Sequence, residues 1–161
     1  MAWIRPEAVI AACGPMALLL CLSTPARAQF PPTACSLLSP AEVEQVLHVP
    51  MGPGSPRVNA GNLTSCLFTA RGGGKVSILL RRNASRNWIA EQRYRMSGAS
   101  TFRPLGGLGD SAFVLDRRGQ GAALCVFRGE YYLQISAFGT GGASDVLPAT
   151  EELARKALSR M

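Results

Sequence analysis

Leu108-Gly-Asp-Ser-Ala-Phe-Val-Leu115, the polar turn Asp116-Arg-Arg-Gly-Gln-Gly121, Ala122-Ala-Leu-Cys-Val-Phe127, the tight turn Arg128-Gly-Glu130 and Tyr131-Tyr-Leu-Gln-Ile-Ser-Ala-Phe138 follow one another without a break. Short β-branched and aromatic runs separated by Gly-bearing turns predict an antiparallel meander. On its last run Tyr131, Leu133, Ile135 and Ala137 share one face, with Gln134 and Ser136 on the other. That alternation predicts one dry face and one wet face.

Working outward, the amino terminus reads as a targeting segment. Arg5 supplies a positive n-region, and residues 8–22 form an apolar stretch broken at Gly14-Pro15. Ala26-Arg27-Ala28 fits a small-x-small cleavage site before Gln29. A spanning helix needs roughly 20 uninterrupted apolar residues, so residues 1–28 are expected to be a cleaved signal peptide. The mature chain is expected to lack a transmembrane helix. Neither leader cysteine suits lipid attachment: Cys21 follows a bulky Leu20, and Cys13 has only residues 8–12 as an apolar core before it.

Cleavage leaves residues 29–161, 133 of the 161 residues, which suits a single domain hiding roughly two-thirds of its surface. The net charge of +7 becomes +6 once Arg5, Arg27 and Glu7 are gone. Positive charge favours anionic partners. Destined for export, the chain is expected to be periplasmic or secreted, where nucleic acid is not an expected partner.

Cys35, Cys66 and Cys125 remain. Oxidising compartments favour pairing. Cys35 precedes the first helix and Cys66 opens a strand, both at element boundaries, whereas Cys125 lies mid-strand between Leu124 and Val126. The expected arrangement is a Cys35–Cys66 bridge, stabilising by about 3–4 kcal/mol in the chain-entropy model, with Cys125 a buried free thiol.

The remaining elements follow from local signals. Ser39-Pro40-Ala41-Glu42 is a capping box with Pro at the first helical position, and Pro50 stops that helix. Residues 51–61 read as a loop or a weak edge strand near Arg57-Val58. Residues 66–70 and 75–82 form a hairpin around Gly72-Gly73-Gly74. Asn83 or Ser85 caps a second helix reaching Met96, Ser97 to Pro104 is a connection, and Ser144 or Asp145 caps a final helix with Pro148 in its first turn. Together these predict an α+β fold: one antiparallel sheet of five to six strands with three helices packed against it.

Cys35-Ser-Leu-Leu-Ser-Pro-Ala-Glu-Val43, the second cysteine Cys66, and Gly107-Leu-Gly-Asp-Ser-Ala-Phe113 before a meander and a terminal helix resemble a broad class of small exported bacterial proteins. Many members are lipoproteins, and they are grouped as domains of unknown function. The resemblance implies an α+β fold and carries over no catalytic residue.

Catalytic groups are sparse. His48 is the sole histidine and falls where the first helix ends, a position at which left-handed residues are common. A general base also needs an orienting partner, and none is identifiable. Zinc calls for about four clustered ligands, so no metal or cofactor is expected. Asp110 beside Gly109 reads as a turn cap. Gly72-Gly73-Gly74-Lys75 lacks phosphate-loop spacing, and Gly106-Gly107-Leu108-Gly109 enters a strand rather than a helix. Asn62-Leu63-Thr64 and Asn83-Ala84-Ser85 match a glycosylation pattern by chance.

The functional signal is basic. Arg81, Arg82, Arg86, Arg93, Arg95 and Arg103 face one acid, Glu91, with Trp88 and Tyr94 interleaved. Guanidinium forks suit phosphate and carboxylate. The expected function is a non-catalytic binding or accessory module whose partner is an anionic envelope component or an acidic protein. An extracytoplasmic enzyme or enzyme inhibitor is the alternative. A plain reading of the same residues is a solvated helix face with Trp88 in the core.

The disulfide assignment is checked by counting thiols on denatured, unreduced mature protein. One titratable thiol is expected; three, or none, contradicts the pairing.

Overall fold

The computed structural model describes residues 32–58, 61–85, 101–116, 121–139 and 143–161, together with Asn87, Trp88, Ala90, Glu91 and Tyr94. The expected leader, residues 1–28, lies outside the described residues.

After a 3-10 turn at Ala34–Ser36 come α1 (Pro40–Leu47), β1 (Ser55–Val58), β2 (Leu63–Thr69) and β3 (Lys75–Arg81). Next are β4 (Thr101–Leu105), β5 (Ser111–Asp116), β6 (Gly121–Arg128), β7 (Tyr131–Phe138) and α2 (Ala143–Leu158). The strands form one antiparallel sheet in the order β1-β2-β3-β7-β6-β5-β4. Two meanders, β1-β2-β3 and β4-β5-β6-β7, therefore join through β3 and β7, with Ile78 opposite Ile135.

The α+β class stands, with different counts: seven strands rather than five to six. Two helices, α1 and α2, are described end to end, rather than three. Of the expected second helix, Asn87, Trp88, Ala90, Glu91 and Tyr94 are helical. Ser85 Oγ accepts from Trp88 N at 3.2 Å, so Ser85 is the capping residue. The extra strand is β4, inside the stretch read as a connection. Pro104 is accommodated because β4 is an edge strand, where a missing N–H need cost no ladder bond. The opposite edge, β1, contains Pro56 in the same way. A proline in each edge blunts the sheet against edge-to-edge pairing.

The wet-and-dry expectation for β7 is also corrected. Val76, Ile78, Leu80, Leu124, Val126, Leu133 and Ile135 lie in one core with α1 and α2. On the other face Phe113, Leu115, Ala123, Cys125, Phe127 and Tyr132 form a second buried cluster against Trp88. Both faces of the central strands are dry, and β6 is buried from Gly121 to Phe127. The polar residues of the second face are tolerated because they bond one another. Tyr132 Oη donates to Gln134 Oε1 at 2.8 Å, and Gln134 Nε2 donates to Ser136 Oγ at 3.0 Å.

The end segments are tied by polar contacts. Ser39 N donates to Glu42 Oε2 at 2.9 Å and Glu42 N to Ser39 Oγ at 3.3 Å, which is the expected capping box. His48 ends α1 in the left-handed region at φ 55° and donates its N–H to the Glu44 carbonyl. The expected cap of α2 is corrected: the helix already starts at Ala143 and includes Ser144 and Asp145. Pro148 thus falls in the second turn, where it costs an intrahelical bond. Val146, Leu153, Ala154, Ala157 and Leu158 form the buried side of α2 as expected. Beyond α2, Arg160 donates to the Leu37 carbonyl and clasps the Glu42 carboxylate with both terminal nitrogens.

The Gly-Leu-Gly-Asp segment is a second tie. Gly109 has φ +55°, and a Cβ there would sit 2.3 Å from the Phe127 carbonyl oxygen, so only glycine fits. Asp110 N donates to that same carbonyl at 2.7 Å, and Asp110 Oδ2 accepts from Gly129 N at 2.6 Å. Asp110 does cap a turn through its side chain, and the turn belongs to the β6–β7 hairpin.

The Arg160 guanidinium, followed by the Ser39 N–H, holds the Glu42 carboxyl at about 2 against an ordinary 4.5. A depressed folded value means that the clasp stabilises fully above the ordinary value and is lost as pH falls from there towards 2. The gap in melting temperature between wild type and Arg160→Gln is therefore expected to be wide near neutral pH and to narrow across that acid window. A gap independent of pH contradicts the clasp.

Candidate functional site

Successive strand residues point to opposite faces, and this separates the two arginines at the end of β3. Arg81 joins the second buried face. Its guanidinium carbon lies 4.5 Å over the Trp88 ring, and Trp88 meets Tyr132 edge-on at 4.8 Å. Arg82, one residue on, lies 6.0 Å over the Tyr131 ring.

Arg82 also borders a cavity of about 170 Å³ whose walls include Pro32, Thr33, Asn62, Thr64 and Leu80. The elements that build it are tied together. Arg82 N donates to the Asn62 carbonyl at 2.9 Å, extending the β2–β3 ladder past its last paired residues. Ala34 N donates to Thr64 Oγ1 at 3.0 Å, joining the 3-10 turn to β2. The Cys35–Cys66 bridge, with Cα atoms 5.0 Å apart, pins the same two elements two residues beyond Thr33 and Thr64. The disulfide expected from the sequence therefore fastens one wall of the cavity to the other. Cys125 is buried and takes no part in a disulfide, as expected.

The Nε atoms of Arg81 and Arg82 are buried and meet no acceptor among the described residues. An unsatisfied buried donor costs about 1–3 kcal/mol, more when charged. Arg81 is roofed by an aromatic ring that takes its cation face-on. Arg82 borders open space. Among the described residues lining that space none is acidic, and Asn62, Thr33 and Thr64 are neutral hydrogen-bonding groups.

The other expected site residues are dispersed. Arg86, Arg93 and Arg95 lie outside the described residues. Tyr94 is 82 % exposed. Arg103 is exposed on β4, four strands from β3. Trp88 is half-buried between Arg81 and Tyr132, where it packs rather than presents itself. Sequence reasoning missed Thr33, Asn62 and Thr64. The Asn62-Leu63-Thr64 triplet was visible only as a glycosylation pattern, and the pairing of β2 with β3 is what brings it to Arg82.

A wider depression carries Glu44 and Arg71 beside Met51. There Glu44 is already engaged by Met51 N at 3.4 Å. Among the described residues no group of three His, Cys, Asp or Glu could hold a metal ion, and no helix is long and apolar enough to cross a membrane. Gly73, at φ +89°, sits in the β2–β3 turn, with Gly73 N donating to the Ala70 carbonyl. In comparisons with known proteins, no family model and no curated sequence matches the chain.

On the second face, burial, with the Cys125 thiol 3.1 Å from its hydroxyl, pushes the Tyr132 phenol far above its ordinary range. That hydroxyl is expected to be neutral and structural. Tyr132→Phe is expected to cost about 1–2 kcal/mol in urea unfolding, because Gln134 loses its donor. Unchanged stability contradicts the polar ladder.

Proposed function

We propose that this protein is an exported, non-catalytic binding module of the bacterial envelope or the secreted fraction, and that it recognises an anionic group on its partner through Arg82. The observation that carries the reading is the Arg82 side chain at the edge of a cavity with no acid among its described lining residues. A guanidinium beside neutral polar groups, with no carboxylate to neutralise it, suits an acceptor that arrives from outside. The net positive charge favours the approach of such a group over long range.

Export is supported by the leader signal in residues 1–28 and by the disulfide, which belongs in an oxidising compartment. The resemblance to small exported bacterial proteins of unknown function points the same way. The Cys35 and Gly107–Phe113 segments that carry it have structural work here: one is bridged, the other ties the β6–β7 hairpin. A binding role leaves the acids Glu42 and Asp110 to the architecture they serve.

The test follows the Arg82 side chain by NMR. The Nε–H resonance of the mature protein is expected to shift saturably when inorganic phosphate or acetate is titrated at low salt. The response should fade as chloride is raised. A resonance that moves with neither anion contradicts the reading.

A further inference from the structure

Resting on the anion-binding reading of the Arg82 cavity, we infer that its ligand is a carboxylate carried on a small aliphatic group, rather than a phosphate. Three features of the cavity lead there.

The first is charge. Arg82 is the one guanidinium among the described lining residues, and no lysine accompanies it. A phosphate monoester brings close to two negative charges and three acceptor oxygens, and phosphate sites meet them with several cations or a nest of backbone N–H groups. A carboxylate brings one charge and two oxygens. A guanidinium offers two parallel N–H donors to such a pair, and Arg82 borders the cavity.

The second is the neutral wall. The Thr64 hydroxyl accepts from Ala34 N. A hydroxyl has one proton and two lone pairs, so this one accepts from the backbone and still has a proton to give. The Asn62 amide beside it adds two more donors. Single neutral donors of this kind complete a carboxylate whose charge the guanidinium already balances.

The third is size and apolarity. Leu80, in the core, and Pro32 supply an aliphatic wall. A space of about 170 Å³ takes a small group, and a carboxylate on a short branched aliphatic unit matches its mixed lining. Two sources share this chemistry: a free short-chain acid, and the carboxyl terminus of a peptide ending in a small aliphatic residue.

Isothermal titration of the mature protein separates the cases with four probes: isobutyrate, Gly-Gly-Val with a free carboxylate, the same peptide amidated, and inorganic phosphate. We expect isobutyrate or the free peptide to bind and the amide not to bind. Tighter binding of the peptide assigns the site to a chain terminus, and tighter binding of isobutyrate to a free acid. Arg82→Gln is expected to weaken binding about tenfold or more, and Arg82→Lys, which keeps the charge but loses the fork, by a similar factor. Circular dichroism and thermal unfolding verify that each variant is folded. Phosphate binding that depends on Arg82, with the carboxylates inert, overturns this inference and leaves the anion-binding reading in place. Equal binding by the amidated peptide, or by Arg82→Lys, also overturns it. If no probe binds, both readings fall.

Discussion

The pairing of β3 with β7 holds this molecule together. Each meander closes locally through short turns, but β3 and β7 meet across the intervening helical segment, β4, β5 and β6. Forming that contact means closing a long loop, whose entropic cost grows only slowly with length. The return is a sheet buried on both faces, with Val76, Ile78 and Leu80 meeting Ala137, Ile135 and Leu133 on one side. On the other side Arg81 is opposite Tyr132. One residue further along each strand, Arg82 reaches Tyr131. The candidate site is thus a consequence of register: slip β3 by one residue and the two arginines exchange faces.

The parts of this arrangement that depend on neighbours in sequence were legible. The capping box at Ser39 and Glu42, the left-handed His48, the glycine turn between β2 and β3, and the three-strand meander all rest on short-range chemistry. The bridge between Cys35 and Cys66 is the pair expected, although Cys66 lies inside β2 rather than opening it. What failed to show depended on long-range context. Pro104 makes β4 look like a connection until its place at the sheet edge is known. Gln134 and Ser136 look like a wet face, yet Tyr132 supplies a hydrogen-bond partner that lets the face dry out. A sequence clue to that burial existed: Ala122 to Phe127 contains no polar alternation at all.

The candidate site was half legible for the same reason. A cluster of arginines is visible in one dimension, and the partition of Arg81 from Arg82 follows once β3 is recognised. The neutral wall is not visible, because Thr33, Asn62 and Thr64 come from two other segments. Their placement depends on the disulfide and on the Ala34–Thr64 hydrogen bond. The Cys35–Cys66 link therefore ties two walls of the cavity together. Arg81 lies over Trp88 on the packed second face, while Arg82 borders the cavity.

Native-state hydrogen exchange measures the β3–β7 seam directly. If it unites the two meanders, the amides bonded across it exchange only through global unfolding, with the denaturant dependence of the whole protein. Seam amides that exchange through a smaller opening, while the β2–β3 and β6–β7 hairpin amides stay protected, would show two halves that fold separately, and would contradict the account.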